Sequence, residues 1–177
     1  MSLLQWLQDS GFGQFIESSA WANLILLCFH AIGMSVVVGI LWMLDLRVLG
    51  FPKSLPLATF RPLMRLAWVG FAVNAASGIL LFSGAATRFI INTDFQLKML
   101  LMLLGGLSVW VLQRSLGLAW LEPADQHGRQ GLHGLQAITG PSFSSGAKIV
   151  AAVSFLFWLG VILFGRQIAY TLARPTS

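Results

Sequence analysis

Residues Leu26–Gly50 read LLCFHAIGMSVVVGILWMLDLRVLG, an apolar run that holds one histidine and closes abruptly on Asp-Leu-Arg. Extended back to Trp21, the run exceeds the roughly 20 residues a helix needs to cross about 30 Å of hydrocarbon. Three further stretches have the same character, and the spans are predicted at about 20–44, 63–83, 95–116 and 147–169. The whole chain of 177 residues is 56% hydrophobic and 10% charged, with a mean hydropathy of +0.79. Soluble domains carry about 25% charged residues. Hydrocarbon offers the backbone no partners, and runs without strict alternation do not make a barrel. The predicted fold is all-α: a four-transmembrane-helix bundle forming one integral membrane domain over 1–177, with residues 1–19 as a short interfacial amphipathic helix. Gly11 and Gly13 are expected to interrupt that helix.

The net charge of +5 raises the question of nucleic acid, but the eleven basic residues are scattered over loops and helix ends instead of forming a patch. They read as topology. Arg47, Lys53, Arg61, Arg65, Arg114, Arg129 and Lys148 fall around the first and third connections, against Arg88, Lys98, Arg166 and Arg174 on the other side. This partition predicts a multi-pass protein of the bacterial inner (cytoplasmic) membrane with both termini periplasmic. With no basic residue before it and a long apolar core, the first span reads as retained, not as a cleaved signal. The one cysteine, Cys28, excludes a disulfide framework within the chain and reads as a buried, inert thiol.

The first connection carries three prolines, and the second span is expected to restart after Pro62. Thr93 or Asp94 marks the predicted start of the third span. The segment 120–146, rich in Gly, Ser and polar residues, is expected to be a cytoplasmic loop. Within the spans, Gly70, Asn74 and Gly78 share one face with Ser77 beside them, Gly105, Gly106 and Ser108 mark span three, and Ala151, Ser154 and Gly160 mark span four. Small residues let helices approach closely in lipid, so these are read as packing surfaces.

His30 is the leading functional residue, about 14 Å below the start of its span. Asn23 and Met34 share its face, and Asn74 lies within about one helical turn of it in depth, so a hydrogen bond between imidazole and carboxamide is feasible. Three roles fit an imidazole at mid-membrane: axial ligand of haem b or, less readily, of copper; a neutral residue that fixes helix register; and a proton relay. Met34, Met64, Met99, Met102 or a second subunit would have to supply a second haem ligand, because no other histidine lies within a span. His127 and His133, with Glu122 and Asp125 nearby, lack the spacing and the cysteines of a structural zinc site.

Asp94 and Lys98 are four apart and are expected to pair, with Arg166 at the same face completing a polar cluster suited to an anionic headgroup, a haem propionate or a quinone. Asp45, Arg47 and Arg65 are expected to form a second cluster that locks spans one and two. There is no phosphate loop, cysteine pair or nucleophile–base arrangement, so the chain is not expected to be an enzyme on its own.

The segments FHAIGMSVVVGILWMLDLRVLGF, DFQLKMLLMLLGG and AKIVAAVSFLFWLGVILFGRQIAY, through His30, Asp45, Arg47, Gly50, Phe95, Lys98, Met99, Gly165, Arg166 and Tyr170, resemble an uncharacterised family of small four-helix bacterial inner-membrane proteins known by a domain-of-unknown-function label. At the level of fold alone the arrangement is also similar to the membrane domains of copper resistance protein D and of b-type cytochromes. Membership of that family alone implies no activity; the leading reading of the residues is a membrane anchor or electron-transfer partner of another membrane or periplasmic subunit, or of a second copy, with His30 as metal or haem ligand and Met34, Asn74, Lys98 and Arg166 around the cofactor. The rival readings are a cofactor-free accessory subunit and a small copper-handling transporter.

Overall fold

The computed structural model describes residues 2–51, 55, 59–115 and 143–173. Among them are seven helices: α1 (Leu3–Gln8), α2 (Gly11–Ser18), α3 (Ala20–Leu49), α4 (Phe60–Gly84), α5 (Ala86–Ile91), α6 (Thr93–Ser115) and α7 (Ser145–Ala173). The loop expected at 120–146, with His127 and His133, lies almost wholly outside the described residues. Helices α3, α4, α6 and α7 are each long and apolar enough to cross a membrane. The chain is a small multi-pass membrane protein of all-α architecture.

The ends of these helices follow from local chemistry. Ser19 caps α3 by accepting from Ala22 N, and Gly50 ends it with φ 108°, a left-handed conformation that costs a residue with a Cβ about 1–2 kcal/mol. Gly50 N–H then donates to Arg47 O and Phe51 N–H to Leu46 O, so the last carbonyls are satisfied. Helix α4 begins two residues before Pro62, which occupies the first turn, where its missing N–H is one of the four that have no partner anyway. The third span is capped by Asn92, whose Oδ1 accepts from Phe95 N at 3.0 Å, one residue ahead of the expected start.

Two helices, not one interrupted helix, precede the first span. Ser10 caps α2 through Gly13 N, and Gly13 is a contact residue: a Cβ there would lie 2.6 Å from Gln8 O and 3.0 Å from Ser83 O. Its absence lets α2 press against α4, with Ile16 buried and Phe12 and Phe15 exposed.

Helix α3 packs along α4 on one side and α7 on the other, and α6 packs along α7. Glu17 pairs with Arg88, and Asn92 donates to Thr171, which puts α2, α5, the start of α6 and the end of α7 at one end. At the opposite end, Leu44, Val48, Phe60, Leu112, Ala147 and Ala151 form one apolar cluster. A second cluster of Val37, Val38, Leu41, Val109, Trp158 and Val161 fills the middle. The glycine stripes serve packing: a Cβ on Gly33 would fall 2.7 Å from both Asn74 N and Gly70 O, so α3 and α4 meet backbone to backbone there. Gly105 likewise makes room for the Trp158 ring and Gly160 for Leu101. Cys28 is exposed on the outer surface of the bundle instead of buried.

Candidate functional site

Position 78 decides how His30 sits. A glycine leaves the carbonyl one turn earlier, Asn74 O, open from the side, and a Cβ at Gly78 would meet His30 Cε1 at 3.0 Å. The imidazole uses that space, with Nδ1 2.9 Å from Asn74 O. A carbonyl only accepts, so Nδ1 carries the hydrogen and Nε2 carries the lone pair. Asn74 Nδ2 returns a bond of 2.8 Å to His30 O. The link between the two residues is therefore reciprocal, each side chain to the other's backbone, and the expected imidazole–carboxamide approach stands beside it, with Asn74 Nδ2 3.3 Å from His30 Nδ1. Ser77 Oγ, 3.4 Å from Nδ1, donates to Val73 O.

Across the bundle, Lys98 Nζ of α6 lies 3.3 Å from His30 Nε2. Its stem runs over Gly165 of α7, where a methyl group would stand 3.6 Å from Lys98 Cδ, Cε and Nζ. All four spans thus contribute: the ring from α3, its anchor from α4, the ammonium from α6 and the gap that admits it from α7. One turn toward the terminal end, Phe82, Phe89 and Phe95 form a cluster with ring centroids 5.5–6.1 Å apart, and Phe82 and Phe95 are stacked.

Of the residues singled out from sequence, His30, Asn74 and Lys98 come together, and Met34 and Arg166 do not join them. Met34 packs against the central apolar cluster. Arg166 is exposed, donates to the Tyr170 hydroxyl at 3.0 Å and lies over its ring. Asn23 is also exposed. The expected Asp94–Lys98 pair does not form, because the lysine turns inward to His30. The second expected cluster is also absent: Arg47 donates to Leu55 O and lies over the Phe143 ring, while neither Asp45 oxygen has a hydrogen-bond partner.

With one ring nitrogen donating to Asn74 and the other facing an ammonium, neither is open to a metal in this arrangement. Haem iron or copper at Nε2 would require Lys98 to leave. Among the described residues no three His, Cys, Asp or Glu side chains cluster as metal ligands. Compared with protein-family models, curated proteins and solved structures, the chain matches none.

The arrangement has a definite chemistry. Two nitrogen bases face each other and hold one proton between them, either as Lys-NH3+ donating to neutral imidazole or as neutral amine accepting from imidazolium. Adding a second proton would set N–H against N–H, and Asn74 fixes the ring so that it cannot turn away.

Proposed function

We propose that this protein is a proton-handling component of a bacterial inner membrane, in which the His30–Lys98 pair takes up and passes on one proton. The observation that carries the reading is the 3.3 Å contact between Lys98 Nζ and His30 Nε2, with Nδ1 committed to Asn74 O. Helix register alone needs only the His30–Asn74 exchange, and a half-buried lysine turned toward the ring is an extra cost that packing does not require. Both termini are proposed to face the periplasm, following the excess of basic residues around the first and third connections.

Proton uptake into vesicles tests this. The protein is reconstituted with a trapped pH indicator, and a potassium diffusion potential is imposed. Flux well above empty vesicles, lost in His30→Ala and in Lys98→Met, is expected. Flux equal to empty vesicles would overturn the reading. A visible spectrum of the same preparation tests the competing role as a haem b or copper anchor for electron transfer: a Soret band that His30→Ala removes would replace proton handling by cofactor ligation, and a colourless protein is expected.

A further inference from the structure

Asp45 is a carboxyl group with no exposure to solvent and no partner for either oxygen. Across the α3–α7 interface stands Ser154, equally buried, whose hydroxyl is also unpartnered. Buried polar groups in folded proteins are overwhelmingly hydrogen-bonded, and the Ser154 hydroxyl is the group that faces the Asp45 carboxyl. We infer that Asp45 and Ser154 form an internal proton-binding site, in which the aspartate carries an exchangeable proton as a neutral acid facing the serine hydroxyl.

The choice of ligand follows from what surrounds the carboxyl. A bare carboxylate there would leave a buried charge with no counter-ion, which costs several kcal/mol, whereas a neutral acid needs only hydrogen-bond partners. Among the described residues no basic side chain forms an ion pair with Asp45. Arg47, two residues on, points to the other side of α3 and is held by Leu55 O and the Phe143 ring. Arg65 of α4 and Lys148 of α7 are exposed, and Arg114 of α6 lies over Trp110. Nearer at hand, α4, α6 and α7 present the apolar side chains of the two clusters. A hard metal cation is a poorer fit, because Oδ1, Oδ2 and Ser154 Oγ are three oxygens where such ions take roughly six to eight.

The site stands apart from the His30–Lys98 pair. Fifteen residues separate Asp45 from His30, about 22 Å along α3 and within roughly 60° of the same face. Val37, Val38 and Leu41 fill the space between. The acid is four residues from Leu49, about 6 Å from the opposite end of the helix.

Infrared spectroscopy of the full-length protein in lipid is the test, because it reads protonated and ionised carboxyls separately. At neutral pH a carboxylic acid C=O band is expected, absent in Asp45→Asn and moved to lower frequency after exchange into D2O. Ser154→Ala, which keeps the acid, is expected to retain the band at a shifted frequency, and it decides the matter if the asparagine variant does not fold. A wild-type spectrum with ionised carboxylates only, a band indifferent to both substitutions, or one that never exchanges with D2O would overturn the inference. None of these results depends on whether His30 and Lys98 conduct protons.

Discussion

Lys98 Nζ of α6 approaches His30 Nε2 of α3 to 3.3 Å, while the other ring nitrogen is held 2.9 Å from Asn74 O. This makes the imidazole an acceptor toward lysine and a donor toward the backbone. The expected consequence is asymmetric. Lys98→Arg keeps a cationic donor and retains part of any proton flux, whereas Lys98→Met removes the exchangeable proton and all of it. Vesicle flux across this pair of variants, read beside protein yield, separates lost chemistry from lost folding.

The Asn74 side chain ties α4 to α3 through its 2.8 Å bond to His30 O, so Asn74→Ala is expected to lower stability. Hydrogen bonds between membrane helices average about 0.6 kcal/mol and reach about 1.7 kcal/mol, so a loss of about 1 kcal/mol is anticipated. Unfolding in mixed micelles measures it. The substitution leaves in place the backbone carbonyl of residue 74 that accepts from the imidazole, so the proton flux is expected to be largely retained.

Gly33 and Gly78 separate packing from chemistry. A methyl at Gly33 strikes the backbone of α4 at 2.7 Å, so Gly33→Ala is expected to push the helices apart at a cost of about 1–3 kcal/mol, measured by the same unfolding assay. Gly78→Ala instead meets only the edge of the imidazole, at 3.0–3.2 Å. It should displace the ring from Asn74 O and reduce flux more than it reduces stability.

The helix ends give a prediction about local backbone alone. Gly50 closes α3 at φ 108°, so Gly50→Ala should destabilise by about 1–2 kcal/mol without touching the polar site. Glu17→Gln, which breaks the exposed ion pair with Arg88, should change stability by under about 1 kcal/mol.

Much of this architecture is legible in the sequence because hydrocarbon imposes its own length on each helix. Four apolar runs foretell four long helices, and the four-residue spacing of Gly70, Asn74 and Gly78 puts the close-packed face of α4 on view. What one chain does not reveal is which faces meet. Lys98 and Asp94 are neighbours by spacing along a helix, but Lys98 reaches His30 because α6 lies across from α3 and Gly165 leaves a gap. That a lysine sits five residues inside an apolar helix was the available signal. Asp45 and Arg47 mislead in the opposite way: two residues apart, they lie about 200° apart around the helix axis and cannot share a face. The aromatic cluster of Phe82, Phe89 and Phe95 assembles from three helices, and no periodicity within any one of them announces it.

The direction of the hydrogen bond between His30 and Lys98 decides whether the pair can pass a proton. Nitrogen NMR of histidine-labelled protein in lipid bilayers reads it directly, because protonated and unprotonated ring nitrogens resonate far apart. A neutral His30 is expected, with its hydrogen on Nδ1 and an accepting Nε2 whose resonance moves in Lys98→Met. A hydrogen on Nε2 and a bare Nδ1, or an Nε2 resonance that Lys98→Met leaves unchanged, would contradict it.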